Sequence, residues 1–215
     1  MIETIPVVLQ FEENAYLWYD DATRHGFLVD PGAEAERILS VIRKAGVTVG
    51  RILLTHGHYD HIGAVPELMK ALGVPAAIEE EGLKYLASPF WNLSGPSGCP
   101  FTVEGAESFR DGAVFTLGTN PDYSLTALHT PGHTEDSTTF WCERQGIAFC
   151  GDTVFRDAVG ATHFPGGDDR ALETSLGRIF RLPDETVLYS GHSEPTTVGE
   201  ERKRLGFPRL GERKA

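Results

Sequence analysis

The chain has 215 residues, of which 40% are hydrophobic and 23% are charged, and its formal net charge is −12 at pH 7. This composition is ordinary for a globular protein and excludes a disordered or fibrous chain. The acidic balance repels polyphosphate backbones, and only a short basic stretch at residues 200–204 interrupts it, so nucleic acid is not expected as a partner.

The first part of the chain alternates short apolar runs with turn signals. Three strands of an antiparallel opening are predicted at residues 5–11, 15–19 and 27–29, and the sequence Asp30-Pro31-Gly32 predicts a turn after them. Apolar residues then recur at helical spacing over residues 34–45, and Gly46 is a typical helix stop. The chain is therefore expected to open as a small sheet followed by a helix.

The same alternation continues to the end of the chain. Further strands are predicted at residues 51–54, 76–78, 114–117, 125–128, 138–142, 147–150 and 187–189. Further helices are predicted at residues 64–72, 80–87, 170–180 and 198–205. Because no repeat and no linker-like change of composition interrupts this pattern, we expect residues 1–215 to form one domain. The loop at residues 88–100 is long for a compact domain, and we expect it to cover a site.

The sequence carries no sign of a targeting or membrane segment. Residues 1–11 lack a basic stretch followed by a long apolar stretch, and no apolar run in the chain is long enough to span a bilayer. We therefore expect a cytoplasmic protein without a membrane partner. Cys99, Cys142 and Cys150 show no CxxC spacing, so neither a disulfide framework nor a thiolate zinc site is expected, and the last two are interpreted as buried core residues.

Three histidines and an aspartate are concentrated in one short segment. The HxHxDH motif consists of His56, His58, Asp60 and His61, and it directly follows the predicted strand at residues 51–54. Imidazole and carboxylate together suit Zn²⁺, Fe or Mn²⁺ better than Ca²⁺ or Mg²⁺. The alternative is an exposed loop or a capping turn in which these residue types meet by chance. The motif favours a transition-metal site.

Three more candidate ligands each follow a different predicted strand. They are His133 after residues 125–128, Asp152 after residues 147–150 and His192 after residues 187–189. Taken singly, each has a structural interpretation: a turn cap, an Asx turn or helix N-cap, and a hydrogen-bonded loop histidine. Four strands that all end in metal-type ligands indicate one site built on a rigid scaffold. His25, His129 and His163 lie outside this pattern and are interpreted as structural.

The segments THGHYDH, TPGH, GDTVF and GH, at these separations, resemble the metallo-β-lactamase superfamily, and the similarity extends from Asn14 to Arg202. Within the superfamily the chain most resembles the short bacterial glyoxalase II-like (hydroxyacylglutathione hydrolase-like) hydrolases, which lack a C-terminal glutathione-binding domain. The resemblance implies an α/β (α+β) fold, an αββα sandwich of two mixed sheets flanked by helices, with the site at one edge of the sheets.

The resemblance also implies two transition-metal ions, with zinc expected and iron or manganese as alternatives. The implied ligands are His56, His58 and His133 for one ion, Asp60, His61 and His192 for the other, and Asp152 as a bridge between them. Asp60 is in addition the candidate catalytic residue, because it can orient the attacking water, although ligation alone is equally consistent with its position. Asp30 is predicted to hold a ligand histidine in place, although a turn-forming role before Pro-Gly explains it equally well.

Three departures from the family pattern concern the substrate rather than the ligands. The usual Val-Gly-Arg reads Val159-Gly160-Ala161, Gly-His-Gly reads Gly191-His192-Ser193, and the small residues after TPGHT are replaced by Glu135-Asp136. The first of these removes a guanidinium that the family places near the site.

The predicted function is hydrolysis of a small-molecule thioester, S-lactoylglutathione or a related compound, by a metal-bound hydroxide. A thiolate leaves without a strong general acid, which favours a thioester over an amide. One alternative is a mononuclear iron persulfide dioxygenase that uses His56, His133 and Asp152, and another is a lactonase of the same superfamily. A nuclease is disfavoured by the acidic balance, and a non-catalytic binding module is disfavoured by the complete ligand set. The sequence does not predict the oligomeric state.

Overall fold

The computed structural model describes residues 1–118 and 120–208. Within these residues the first half of the chain forms a six-stranded sheet whose strands lie in chain order. The strands are β1 (Ile2–Val8), β2 (Glu12–Tyr19), β3 (His25–Val29), β4 (Thr48–Leu53), β5 (Ala76–Glu79) and β6 (Glu107–Phe109). β1 to β3 pair antiparallel and β3 to β6 pair parallel, so the sheet is mixed.

The second half of the described chain forms another mixed sheet of six strands. In chain order its strands are β7 (Val114–Leu117), β8 (Asn120–His129), β9 (Thr138–Cys142), β10 (Ile147–Gly151) and, after a separate hairpin of β11 (Val154–Phe155) and β12 (Ala158–Val159), β13 (Val187–Ser190) and β14 (Thr196–Thr197). The order across the sheet is β14-β13-β10-β9-β8-β7, with β10 and β13 parallel and the other neighbours antiparallel. The carboxyl ends of β8, β10 and β13 therefore meet at one edge.

The helices lie between or after these strands. They are α1 (Ala35–Ala45), α2 (Tyr59–Ile62), α3 (Val65–Leu72), α4 (Gly82–Leu86), α5 (Asp169–Ile179) and α6 (Val198–Arg204). α1 ends as its sequence predicts, because Gly46 adopts a left-handed conformation (φ 64°) and its N–H donates to the carbonyl of Arg43. α5 begins where the side chain of Asp168 accepts a hydrogen bond from the N–H of Ala171.

Three apolar layers hold the elements together. On the outer face of the first sheet, Leu17 packs in a cluster with Ile38 of α1. Between the sheets, Trp18 packs against Phe149, with ring centroids 6.5 Å apart. On the outer face of the second sheet, Cys150 packs in a cluster that includes residues of α5 and α6. Neighbouring residues of one strand thus face different layers, and the result is the expected αββα sandwich.

Several boundaries differ from those predicted. β1 ends at Val8 because Val8 pairs with Glu12, which leaves residues 9–11 as the hairpin turn. β8 begins five residues before its predicted start, because its early residues pair with β7. The helix predicted at residues 80–87 is shorter, Gly82–Leu86. The short elements α2, β6, β11, β12 and β14 were not predicted, because two to four residues show no measurable period.

Cys99 is exposed and Cys142 and Cys150 are buried, and all three are free, as expected. Among the residues described, no helix is both long and apolar enough to cross a bilayer. The single domain expected for residues 1–215 includes residue 119 and residues 209–215, which lie outside the described residues and on which the structure gives no information.

Candidate metal centre

The predicted ligands His56, His58 and His133 converge on one point. His56 and His58 follow β4, whereas His133 follows β8, and all three side chains are buried. Nδ1 of His58 lies 3.2 Å from Nε2 of His56 and 3.0 Å from Nε2 of His133. Three imidazole nitrogens that face one another at this distance are the donor set of a tetrahedral transition-metal site with one further position.

Asp60, His61 and His192 form a second group of donors beside the first. Nε2 of His192 lies 3.4 Å from Oδ2 of Asp60. Asp152, which follows β10, lies between the two groups: its Oδ2 is 3.6 Å from Nε2 of His133 and 3.5 Å from Nε2 of His192. Its other oxygen, Oδ1, is 3.3 Å from Nε2 of His61. All seven predicted ligands therefore lie in one cluster, with the Asp152 carboxylate facing both groups.

Hydrogen bonds on the far side of each ring fix which nitrogen faces the cluster. The Nδ1–H of His133 donates to the carbonyl of Ala161 (2.7 Å), and the Nδ1–H of His192 donates to the carbonyl of Glu12 (2.6 Å). Because a carbonyl only accepts, these bonds leave the lone pair on Nε2 of each neutral ring.

Asp30 organises two more of the rings. It accepts hydrogen bonds from Nδ1 of His61 (3.0 Å) and from the hydroxyl of Thr55. Since the Thr55 hydroxyl proton is used in this bond, its oxygen is free to accept from Nδ1 of His56, 3.2 Å away. Asp30 itself is buried and has a left-handed backbone (φ 45°), which is uncommon for a residue other than glycine. The structure therefore gives Asp30 the contact to a predicted ligand histidine, whereas residues 30–32 do not form the predicted turn.

The electrostatics of the cluster suit a cation. Burial lowers the pKa of His58 to about 3 and that of His56 well below its usual range, so both rings are neutral and offer lone pairs. Burial alone would raise the pKa of Asp152, but His61 and the neighbouring imidazoles hold it below its usual range, so this carboxyl is ionised. Among the described residues, Nε2 of His61 and Oδ1 of Asp152 are buried without a hydrogen-bond partner. A shared metal ion satisfies such atoms, and the donor set fits one.

Two glycines allow the backbone to pass close to the side chains of the cluster and of Thr55. Gly151 adopts a left-handed conformation (φ 49°), and a Cβ there would lie 2.2 Å from Oγ1 of Thr55. A Cβ at Gly191 would lie 2.4 Å from Oδ1 of Asp152. Neither position accepts a larger residue without movement of the cluster.

The cluster forms the floor of a cavity of about 670 Å³, which we call the site cavity. Gln10 and Phe11 of the β1–β2 turn form one wall, and Leu93, Pro96 and Ser97 form another. The last three belong to the loop at residues 88–100, which therefore borders the site as expected. Phe164 completes the lining, with its ring centroid 5.6 Å from that of His58.

Sequence reasoning missed one buried carboxylate beside the site, that of Glu13. Glu13 is 1% exposed and its Oε1 lies 3.8 Å from Nδ1 of His61. A signal for it existed, because residues 13, 15, 17 and 19 alternate in β2 and all face the interior.

His25, His129 and His163 lie outside the donor groups: the first two contact the carbonyls of Thr23 and Glu135, and the third packs on Phe164.

The fold and this cluster define a class of protein. The chain belongs to the metallo-β-lactamase superfamily, whose family model matches residues 10–192. The superfamily resemblance, the fold and the coarse prediction of a metallo-hydrolase are thereby confirmed.

Three individual proteins are particularly similar. The hydroxyacylglutathione hydrolase GloC of Haemophilus influenzae is 33% identical over 96% of this chain and 97% of its own length. The crystal structure of BLEG-1, a B3 metallo-β-lactamase, is 31% identical with a TM-score of 0.88, and covers 94% of this chain and 97% of that chain. The crystal structure of TTHA1623 in a di-iron-bound form is 33% identical with a TM-score of 0.81, and covers 93% and 98% of the two chains.

Proposed function

We propose that the protein is a dinuclear metal-dependent hydrolase of the glyoxalase II type that cleaves a small-molecule thioester. The observation that carries this proposal is the convergence of seven donor residues, with Asp152 between two groups of three, on the floor of an open cavity. The similarity to the hydroxyacylglutathione hydrolase of Haemophilus influenzae supports the reaction type. Zinc is the metal we expect, and the di-iron-bound relative makes iron the alternative.

Each donor residue has a proposed role. His56, His58 and His133 would hold one ion, Asp60, His61 and His192 would hold the second, and Asp152 would contact both. The chemistry that two bound ions would supply is activation of a water molecule, whose pKa would fall towards ~7, and polarisation of the substrate carbonyl.

Asp60 is the proposed residue that orients the water. Its side chain lines the site cavity, and although burial raises its pKa, the neighbouring His192 and His61 together hold the pKa below its usual value. An ionised carboxylate at this place can accept a hydrogen bond from the water. This bond orients the water so that a lone pair of its oxygen points towards the substrate.

The leaving group decides between a thioester and an amide. The histidines that line the cavity, His58, His133 and His192, all belong to the donor groups, and none is free to protonate an amine. A thiolate, with a conjugate-acid pKa of ~8.5, departs without such a proton. A thioester therefore matches the residues around the site better than an amide does.

The test combines metal analysis with assays under air and under argon. We expect purified protein loaded with zinc to hydrolyse S-lactoylglutathione or S-lactoyl-N-acetylcysteamine equally in both atmospheres, and to stop after chelation. Oxygen consumption with glutathione persulfide, and no thioester turnover, would instead identify a persulfide dioxygenase. Turnover of a lactone without thioester turnover would identify a lactonase.

A further inference from the structure

The walls of the site cavity above the donor cluster are mostly apolar. Phe11, Leu93, Pro96 and Phe164 lie around the cavity, and we call these four residues the apolar wall. Phe11 is 64% exposed, so its large aromatic side chain contributes nothing to the core. Leu93 holds a left-handed backbone conformation (φ 65°) that is costly for a branched apolar residue. An exposed aromatic ring and a strained leucine beside a reactive centre indicate that this wall receives a ligand.

Hydrogen bonds fix the two sides of the apolar wall relative to each other. The side-chain amide of Gln10 donates to the carbonyl of Ser97 (2.8 Å), and the hydroxyl of Tyr59 donates to Oε1 of Gln10 (3.3 Å). The N–H of Tyr59 donates to the carbonyl of Asn92 (2.8 Å). The β1–β2 turn is thereby tied to the loop at residues 88–100, and the cavity between them exists before a ligand binds.

The cavity offers no positive side chain to an anionic carrier. Among the described residues that line it, none is lysine or arginine, and the two carboxylates are those of Asp60 and Asp152. Lys84 is next to Tyr85, which packs on His58, but it is in an ion pair with Glu135 and lies over the ring of Trp91.

A second basic residue near the cluster is likewise in an ion pair. Arg156 is next to Phe155, which packs on His192, and its guanidinium contacts Glu194 at 2.9 Å. The carboxylates of a carrier such as glutathione would lose hydration on binding, and no unpaired cation among the described residues is close enough to compensate for that loss. Glu135 stands at one of the positions where this chain departs from the family pattern.

These observations point to a substrate class. On the basis of the hydrolase function proposed above, we propose that the substrate is an ester or thioester with an uncharged apolar chain, which lies along Phe11, Leu93, Pro96 and Phe164 while its carbonyl faces the donor cluster. Each methylene removed from water raises the affinity about fourfold, so affinity increases with chain length until the apolar wall is covered.

A chain-length series tests this proposal by kinetics. S-acyl-N-acetylcysteamines with acetyl, butanoyl, hexanoyl and octanoyl chains are compared with S-lactoylglutathione on the zinc-loaded protein. We expect kcat/KM to rise at least about tenfold from acetyl to octanoyl, and to exceed that for S-lactoylglutathione. A flat series, or a preference for S-lactoylglutathione, would overturn the proposal while the hydrolase function remained intact.

Binding to the metal-free protein separates the two proposals. Calorimetry with the non-hydrolysable S-ethyl and S-octyl thioethers of N-acetylcysteamine reads the apolar wall without catalysis. We expect the octyl compound to bind at least about tenfold more tightly than the ethyl compound. Tighter binding of the octyl compound without hydrolysis of any ester would overturn the hydrolase function and support binding of the chain by the apolar wall. Equal binding of the two compounds would overturn the proposal that the apolar wall binds the chain.

A pair of matched variants assigns the effect to the wall. Phe11→Ala removes an exposed ring that lines the cavity, and Phe90→Ala removes an exposed ring that does not, so neither should disturb the fold. We expect Phe11→Ala to raise the KM for the octanoyl substrate about fivefold with little change for acetyl, and Phe90→Ala to change neither. The same effect from both variants would contradict the proposal.

Discussion

Oδ2 of Asp30 lies 3.0 Å from Nδ1 of His61, and this hydrogen bond is buried completely. It connects the end of β3 with the segment after β4, which are adjacent because those two strands pair in parallel. The bond sets the ring of His61 so that Nε2 faces Asp152. A contact that orients one proposed ligand should therefore affect the metal without touching it.

Asp30→Asn is expected to weaken metal binding about 10–100-fold, because a neutral amide replaces the carboxylate that accepts three hydrogen bonds, two from Thr55 and one from His61. Competition with a chelator measures the affinity. Asp21→Asn is the control, since Asp21 is exposed and contacts only Arg24 among the ion pairs. Equal affinities in the two variants would refute the role of Asp30.

Asp152→Ala and His192→Ala are expected to differ in metal content. Asp152 faces both donor groups, so its removal should lose both ions and the activity together, whereas loss of His192 should mainly empty the second group. Metal analysis after dialysis gives the number of ions per chain. Unchanged metal content in Asp152→Ala would show that this residue does not bridge.

Gly191→Ala is expected to lower metal affinity by steric displacement. The added Cβ would lie 2.4 Å from Oδ1 of Asp152 and 2.5 Å from Cε1 of His61, and both side chains must move. Gly50→Ala is the matched control, because the nearest atom to its added Cβ is 3.8 Å away. In chelator competition, the metal affinity of Gly191→Ala should be about tenfold lower than that of Gly50→Ala, since displaced ligands lose coordination geometry.

The seven donor positions were predictable because each follows an apolar strand, and a motif at a strand end keeps its place whatever the exact strand boundary. The same sequence misplaced the end of β1. Phe11 extends the apolar pattern of the strand, but it lines the site cavity instead of the core. Hydrophobicity alone does not distinguish a residue that packs inside from one that faces a ligand.

Glu13 shows the opposite limit. Its alternation with Ala15 and Leu17 places it on the buried face of β2, but a carboxylate is rarely buried, and residue type argues against the pattern. Its position beside His61 depends on the pairing of β2 with β3 and of β3 with β4, which the local sequence does not reveal. Local sequence therefore predicted the donor residues that cluster and missed the carboxylate of Glu13 beside them.

Asp136 replaces a small residue of the family pattern and is fully buried. Its Oδ2 lies 3.4 Å from where a Cβ on Gly57 would be and 2.8 Å from where one on Gly82 would be, so it fills the space that these two glycines leave. Burial raises the pKa of Asp136 to about 7, and the charge of the nearby Glu79 adds to this effect. The carboxyl is therefore neutral in the folded protein over a pH range in which it is ionised in the unfolded chain.

Asp136→Asn is expected to gain stability relative to the wild type as the pH rises. Between the unfolded pKa of ~3.9 and the folded value of about 7, the folded wild type binds more protons, so its free energy of unfolding falls with increasing pH. The amide has no such dependence, and the difference should grow to the order of 2–4 kcal/mol and level off above pH ~7. Urea unfolding of the metal-free proteins measures it. Asp111→Asn is the control of opposite sign: burial raises the pKa of Asp111, but Arg178 and the backbone N–H of His129 together outweigh burial and lower it. A difference for Asp136→Asn that does not change with pH would show that this carboxyl is ionised when buried.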